Sequence, residues 1–347
     1  MIAYLRCVYC VIAGLALTLG IARAQSEPVP LLQQINDAMQ TLDYEGTLVR
    51  SMDGRLYTLH VAHLNNDGVS MEKLVSMDGE PREIVRVGNE LVCLYPNRQL
   101  KFIDKTAGAS NAFTRLPQVA ENVGRFYELV SLGTDRVAGR EAKRFFIRPK
   151  DAFRYGHSLW VDAETLLPLR MQLLNGKRVV EEVRFTDVQI GIEIPKSALI
   201  SDIDDSGFQV IHASPSELAE KYANSSMQRA ANTLSAAPGE VVVEGNNASG
   251  FTLKGPRGEM VQVNGRTVRR FEYSDGIATV SVFVAAGSTG TGGKHGKMGA
   301  THSYQRSVGN RTMTLVGEVP LNTLRMLAEQ ADQQIGAIDT PEAVATE

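Results

Sequence analysis

The stretch LYTLHVAHL, Leu56–Leu64, decides the fold class, because its side chains alternate in character at every residue. Tyr57, Leu59 and Val61 fall on one side of the alternation, and the residues between them fall on the other. Successive side chains of a strand point to opposite faces of a sheet, so a period of two predicts a strand with one face in a core.

Similar stretches follow this one along the chain, separated by turn signals such as Asp-Gly, Gly-Asn, Pro-Asn and Asn-Gly. They predict strands at Val69–Val75, Glu83–Val87, Leu91–Tyr95, Lys143–Ile147, Ser158–Asp162, Leu169–Leu174 and Val179–Val188. Before them, apolar residues from Leu31 to Leu42 recur at helical spacing and predict one amphipathic helix. Since helices do not alternate with strands, the pattern predicts an α+β fold with antiparallel sheets.

The tetrapeptide SMDG occurs twice, at Ser51–Gly54 and at Ser76–Gly79. Asp-Gly suits a tight hairpin because glycine has no Cβ and aspartate tolerates the left-handed region. The alternative is an acid/base pair such as Asp78 and Glu80, but catalytic carboxylates need a desolvated cleft, which a loop tip does not supply. Both copies are predicted to be hairpin turns.

The N-terminus has the features of a secretory signal peptide, residues 1–24, cleaved after Ala24. The alternative, an uncleaved anchor, needs a longer apolar run. Cleavage removes Cys7 and Cys10, so no disulfide is predicted. It also leaves 34 basic and 39 acidic residues, a formal charge of −5, which gives no indication of nucleic-acid binding.

Changes in composition predict two domains with a linker between them. Residues 25–212 form the larger domain, and residues 213–248 form a polar linker with a short helix that begins at Pro215. Residues 249–331 form a smaller β domain with a third Asp-Gly hairpin, at Asp275-Gly276, and a closing helix after Pro320. The tail, residues 332–347, has the composition of a disordered segment.

The sequence matches none of the catalytic and metal-binding motifs considered. In the glycine-rich stretch Gly287–Gly299, neither lysine has the glycine and the hydroxyl of a phosphate-binding loop, so a long basic hairpin loop is predicted. His60 and His63 in HVAH point to opposite faces of their strand and cannot share a metal ion. We therefore predict no catalytic residues, no metal and no cofactor, although a site built from distant residues would leave no short motif.

Two sets of residues are predicted to bind ligands. If the helix does not fill the concave side of the large sheet, apolar side chains there line a pocket for an acyl chain: Met39, Phe102, Phe126, Trp160, Met171, Leu173 and Phe185. The alternative is ordinary core packing. In the second domain a partner-binding set is predicted, with a solvated sheet face as the alternative: Arg269, Arg270, Tyr304, Arg306 and Arg311.

The segments LDYEGTLV, LVSMDGEPREIVR, CLYPN, GREAKRFFIRPKDAFRYGHSLWVDAETLLPLRMQLL, YSDGIATVSVFV and KMGATHSYQRSVGNRTMTLVGEVP occur in this order. Together they resemble the RseB/MucB family of periplasmic sigma-E factor regulatory proteins over nearly the whole mature chain. The resemblance implies a large domain similar to the lipoprotein carriers LolA and LolB, a half-open β-barrel with helices, followed by a smaller β domain.

The resemblance also implies a periplasmic negative regulator that binds the periplasmic part of a membrane-spanning anti-sigma factor and protects it from proteolysis. Lipid or lipopolysaccharide would release it, and linkage requires that each ligand weaken the other by the same factor. Two alternatives remain: a lipid or lipoprotein carrier, and an envelope hydrolase that uses Cys93 or Ser158. A homo-oligomer is possible under each of them.

Overall fold

The computed structural model describes residues 28–104, 123–212, 250–254, 258–263, 266–287 and 293–338. The predicted signal peptide and the predicted linker lie outside these residues. The two domains form separate sheets. Among the described residues, no helix is both long enough and apolar enough to span a bilayer.

The large domain begins with helix α1, Pro28–Thr41, and continues almost entirely in strands. Helix α2, Val123–Phe126, precedes β7, and 3-10 helices occupy Pro96–Arg98 and Lys196–Leu199. The strands are β1 Tyr44–Met52, β2 Arg55–Asn66, β3 Val69–Ser76, β4 Glu83–Val87, β5 Glu90–Tyr95, β6 Leu100–Asp104, β7 Tyr127–Val137, β8 Arg140–Pro149, β9 Gly156–Asp162, β10 Pro168–Asn175, β11 Arg178–Ile190 and β12 Gln209–His212.

These strands form one open sheet in the order β12-β6-β5-β4-β3-β2-β1-β11-β10-β9-β8-β7. Strand β1 pairs along its whole length with residues 181–190 of β11, and this pairing joins the two halves of the sheet. All pairs are antiparallel except β12 with β6, which is parallel and corrects the prediction of a purely antiparallel sheet. The predicted α+β class, with one large open sheet, is confirmed.

Helix α1 packs on the concave face of this sheet. Leu32, Ile35 and Met39, spaced three and four residues apart, lie in one buried cluster with side chains from β1, β2 and β7 to β11. Tyr44 at the start of β1 is fully buried and its ring stacks on His63 at 4.9 Å between centroids. Helix α1 therefore covers the part of this face to which β1, β2 and β7 to β11 contribute.

The second domain is a smaller antiparallel sheet covered by helix α3, Leu321–Ile338. Its cluster of buried side chains includes Phe271, Val282 and Leu315 from the sheet and Leu324 and Leu327 from the helix. The strands are β13 Thr252–Leu253, β14 Glu259–Val263, β15 Arg266–Ser274, β16 Thr279–Ala286, β17 Lys294–Met298, β18 Thr301–Val308 and β19 Arg311–Gly317.

Several predicted elements are placed differently. Helix α3 continues past residue 331 into the part predicted to be disordered. Residues 294–298, predicted as part of a long loop, form edge strand β17. The polar strand β7 was not predicted, because its middle residues are exposed on both faces and lack an apolar alternation.

The hairpin turns of the two SMDG copies are confirmed. Asp53 and Gly54 both have positive φ, 50° and 76°, between β1 and β2. Gly79 has φ 71° in the connection between β3 and β4, where the Asp78 carboxylate accepts a hydrogen bond from the Thr58 backbone amide. Asp78 therefore ties this connection to the neighbouring strand β2.

His157 on β9 carries a pH-dependent cost of folding. Its side chain is buried, and this desolvation lowers the pKa of the imidazole to about 4. The unfolded chain binds the proton more tightly than the folded one between that value and the ordinary 6.5. Stability from this group is complete above pH 6.5 and is lost as the pH falls toward 4.

We expect His157→Phe, which stays neutral, to flatten the pH dependence of stability. Between pH 7 and pH 5 the wild-type free energy of unfolding should fall by about 2 kcal/mol more than that of the variant. Urea unfolding at several pH values measures this difference. Parallel curves for the two proteins would contradict the assignment.

Candidate functional site

The two domains meet at a buried ion pair. Arg154, in the loop between β8 and β9, and Asp275, between β15 and β16, both have side chains with 0% exposure. The Arg154 Nε lies 3.1 Å from the Asp275 Oδ2, and an Arg154 Nη1 donates to Asp151 at 2.9 Å. Separating such a pair leaves a buried charge without its partner, which typically costs roughly 3–5 kcal/mol. The joint therefore holds the domains in one arrangement.

Aromatic rings enclose this pair on the large-domain side and on the small-domain side. The Arg154 guanidinium lies 4.4 Å from the ring centroid of Phe126 and 5.2 Å from that of Phe251. The Tyr127 hydroxyl donates to Asp275 Oδ2 at 3.0 Å, and burial together with this carboxylate raises the pKa of Tyr127. Exclusion of water by the rings strengthens each electrostatic contact inside.

Asp275 divides its two carboxylate oxygens between two tasks. Oδ1 accepts hydrogen bonds from the backbone amides of Ile277 and Ala278 and so shapes the turn. Oδ2 accepts a hydrogen bond from the Tyr127 hydroxyl and forms the ion pair with Arg154, both from the other domain. Burial raises the pKa of Asp275 above its ordinary value, although its donors act in the opposite direction. The side chain of Ile277 extends into the concave core cluster of the large domain.

A second contact forms where the first SMDG hairpin meets the turn between β17 and β18. The carboxylate of Asp53 accepts a hydrogen bond from the Gly299 amide and pairs with Lys297. Glu181 accepts from the Ala300 amide at 2.7 Å and from Arg50 at 2.8 Å. Both carboxylates are thus bound to backbone of the other domain.

Further hydrogen bonds join the domains between these two contacts. The Tyr155 hydroxyl lies 3.3 Å from the Ala300 carbonyl oxygen and 3.2 Å from the His302 Nδ1. The Thr323 hydroxyl on α3 donates to the Phe153 carbonyl at 2.6 Å. Burial lowers the pKa of His302, so this imidazole is kept neutral near pH 7.

The predicted lipid-pocket set does not converge on one site. Met39, Trp160 and Phe185 belong to the large buried cluster of this domain, Trp160 from the face of β9 opposite to Leu159, and Phe126 and Met171 pack against the cluster. Phe102 lies in a separate cluster with Leu91 and Cys93, and Leu173 lies at the domain joint with Tyr155 and Ala300. The role of this set in lipid binding stays a prediction, and the observed packing is that of a core.

Trp160 is enclosed by charged groups. Its cross-strand neighbours are Arg144 and Arg170, whose guanidinium carbons lie 4.7 and 4.4 Å from the ring centroid. The indole Nε1 donates to Asp135 at 2.9 Å, and this hydrogen bond is the main cause of a lowered pKa of Asp135. By strand alternation the indole points away from the face of Leu159. This environment favours a structural role.

A cleft of about 200 Å³ opens beside the C-terminal end of α1. Met39 is the member of the predicted lipid set that lines it, together with His63, Glu72 and Arg86. Glu72 and Arg86 face each other across β3 and β4, and burial lowers the pKa of Arg86. Glu72 and Arg86 carry opposite charges, so this pair adds no net charge to the wall of the cleft.

The predicted partner-binding set is divided between two faces of the small sheet. Register places Arg269, Tyr304 and Arg306 on the face covered by α3. Arg270 lies on the opposite face and pairs with Glu259 and Glu272, and Arg311 begins β19 at the sheet end. Tyr304 and Arg306 are neighbours on one face of β18, and Val284 and Met313 on the two intervening strands separate them from Arg269.

The residues considered for catalysis are placed unfavourably. Burial raises the pKa of the Cys93 thiol to about 11, which keeps the nucleophilic thiolate scarce at neutral pH. Ser158 is buried on β9, and its sequence neighbour His157 points to the other face. Within the described ranges, His, Cys, Asp and Glu form no group of three or more that could hold a metal ion.

Comparison with known proteins gives two family matches in order along the chain. The MucB/RseB N-terminal domain matches residues 27–203, and the MucB/RseB C-terminal domain matches residues 245–332. The sigma-E factor regulatory protein RseB of Haemophilus influenzae is 27% identical over 304 residues, covering 86% of this chain and 89% of that protein. The sigma factor AlgU regulatory protein MucB of Pseudomonas aeruginosa is 27% identical over 307 residues, covering 86% and 88%.

Solved structures with the same fold include complexes. The crystal structure of MucB in complex with MucA(peri) superposes with a TM-score of 0.63 at 26% identity, covering 87% of this chain and 97% of that one. The complex structure of Pseudomonas aeruginosa MucA/MucB gives a TM-score of 0.61 at 25% identity, covering 86% and 96%.

We expect Trp160→Phe to lower the free energy of unfolding by roughly 1–3 kcal/mol, because the smaller ring fills the space between the two arginines less well. It also removes the indole donor, so Asp135→Ala should have a smaller effect in the variant than in the wild type. Chemical denaturation followed by circular dichroism measures this cycle. Strictly additive effects would contradict the hydrogen bond.

Proposed function

Because the chain belongs to the MucB/RseB family, we propose that it is a periplasmic negative regulator of a sigma-E-type envelope stress response. It binds the periplasmic segment of a membrane-spanning anti-sigma factor and shields that segment from regulated proteolysis. Lipid or lipopolysaccharide signals release it. Export by the predicted signal peptide is part of the proposal, since the partner segment lies in the periplasm.

One observation carries the binding function. Both family domains match in order, and the similar MucB has been solved in complex with MucA(peri) over a region that covers 87% of this chain. The relatives named above are regulatory proteins of sigma factors. A binding role also agrees with the buried thiol of Cys93, which is poorly suited to nucleophilic attack.

The joint supports a binding surface that spans both domains. Association loses affinity when flexible parts must be ordered, so a surface fixed in advance binds more tightly than a mobile one. Arg154 and Asp275 at one end of the joint and Asp53 and Gly299 at the other fix the relative position of the domains. A partner segment that contacts both domains meets a preformed surface.

For the partner we propose the group that contains Arg269, Tyr304 and Arg306. Arginine and tyrosine are among the side chains that are enriched at energetically important positions of interfaces. Arg270 is a weaker candidate, because it lies on the opposite face of the sheet, where it pairs with Glu259 and Glu272. Arg311 stays in the proposal as a peripheral contact at the end of the sheet.

For the lipid we propose the concave side of the large domain. Helix α1 covers that face with Leu32, Ile35 and Met39, so an acyl chain enters only if the helix shifts. The ligand replaces one apolar contact by another, which keeps the cost of displacement small. A shift of the helix gives the lipid a differential effect on the two states of the protein, as release requires.

The proposal is tested by calorimetric titration of the mature protein with the periplasmic segment of the anti-sigma factor of the same organism. We expect saturable binding that a lipid A-type ligand weakens, and an equal weakening of lipid binding by the segment. Lipid binding without any binding of the segment would favour the lipid carrier.

Charge reversal at Arg306 tests the proposed surface. Arg306→Glu should lower the affinity for the anti-sigma segment by about tenfold or more, equivalent to roughly 1.4 kcal/mol of binding free energy. Arg325→Glu, on an exposed position of α3 in the same domain, makes the same change of charge and is the matched control. Equal affinities for the two variants would place the partner elsewhere.

A further inference from the structure

Helix α2 and the two residues at its end connect the concave core to the domain joint. Val123, the first residue of α2, is fully buried in the concave cluster, and α2 contacts α1. Phe126 and Tyr127 follow within one turn and reach the buried ion pair. Residues 123–127 therefore have one end in the buried core of the large domain and the other end at the joint between the domains.

The contacts at the joint end are close. The Phe126 ring packs against Gly250 so tightly that a Cβ there would collide with it, and Gly250 has a positive φ of 81°. The backbone carbonyl of Phe126 accepts from Lys150, in the loop that carries Arg154, at 2.9 Å. Displacement of Phe126 thus moves groups that enclose Arg154 and groups of the second domain.

From these contacts we infer that residues 123–127 couple the filling of the concave core to the arrangement of the two domains. A change that shifts Val123 withdraws Phe126 and Tyr127 from the joint and releases Asp275 from Arg154. As a route by which a lipid weakens partner binding, the inference rests on the proposed function. Its geometry rests only on the contacts of this segment.

Because the joint is buried, it has two stable states, closed and fully open, with no stable intermediate between them. Arg154 has no exposure, and its nearest carboxylates are Asp151 on its own loop and Asp275 on the other domain. Partial separation would leave the Asp275 carboxylate desolvated with fewer donors, which is less stable than either the closed pair or full exposure to water. Core packing is bistable in the same way, so a small shift of α2 produces a full opening.

The test measures the distance between domains in the mature chain without lipid or partner. Spin labels are attached to cysteines introduced at Glu90 and Arg325, which are exposed and lie in different domains. Cys93 is buried, with a thiol pKa raised to about 11, and stays unlabelled. Double electron–electron resonance then gives the distribution of distances between the two spin labels.

Val123→Ala should raise the population of a second distance about tenfold over the wild type. Val161→Ala is the matched control, because Val161 is equally buried in the same cluster but lies on β9. It removes the same atoms and should leave the distribution unchanged. Equal distributions for the wild type and both variants would overturn the inference, as would equal changes in both variants.

Asp275→Asn tests the joint itself. Asparagine keeps the oxygen that accepts from Ile277 and Ala278, so the turn is retained, but places a donor where Oδ2 receives Arg154. It should produce the same second distance. Asp162→Asn, at a buried carboxylate paired with Arg140 inside the large domain, should not. An unchanged distance distribution in Asp275→Asn would contradict the role of the Arg154–Asp275 pair in holding the domains together.

If Val123→Ala does not fold, Val123→Thr replaces it, because threonine keeps the volume while placing a hydroxyl in the apolar core. The outcome is independent of the proposed function. A second distance in Val123→Ala, with no binding of the anti-sigma segment by the wild type, would retain the coupling and reject the regulator. Partner binding with an unchanged distance would do the reverse.

Discussion

The buried ion pair between Arg154 and Asp275 is the interaction on which the arrangement of this molecule depends. Neither group is tolerated alone in the apolar surroundings formed by Phe126 and Phe251. Each domain therefore carries a charge that is stable only when the other domain supplies its partner. Hydrophobic packing makes the two cores, but this pair defines how they meet.

The other contacts between the domains gain their geometry from that meeting. Asp53 and Glu181 accept hydrogen bonds from backbone amides at the Gly299 turn, where the absence of a Cβ lets this turn approach the large domain closely. Tyr155 and Thr323 add further hydrogen bonds along the interface. Such directional contacts specify one orientation, whereas an apolar interface would permit sliding.

Perturbed titratable groups are numerous, and their causes are structural. Burial is the main cause of the pKa shifts of His157, Cys93, Tyr127 and Asp275. The Asp275 carboxylate adds to the rise at Tyr127, whereas Arg154 and Tyr127 oppose the rise at Asp275. These four groups lie in the core of the large domain and at the joint between the domains.

Sequence alone determined the local elements: the alternation in Leu56–Leu64, the helical spacing of α1 and the turns at Asp53-Gly54 and Asp275-Gly276. These depend on a few neighbouring residues and their allowed dihedral angles. Only the tertiary structure decided that Asp275 reaches across to Arg154 and that Trp160 lies between two arginines. Those contacts join residues far apart in the chain, and their geometry follows from sheet register and from burial, which no local pattern encodes.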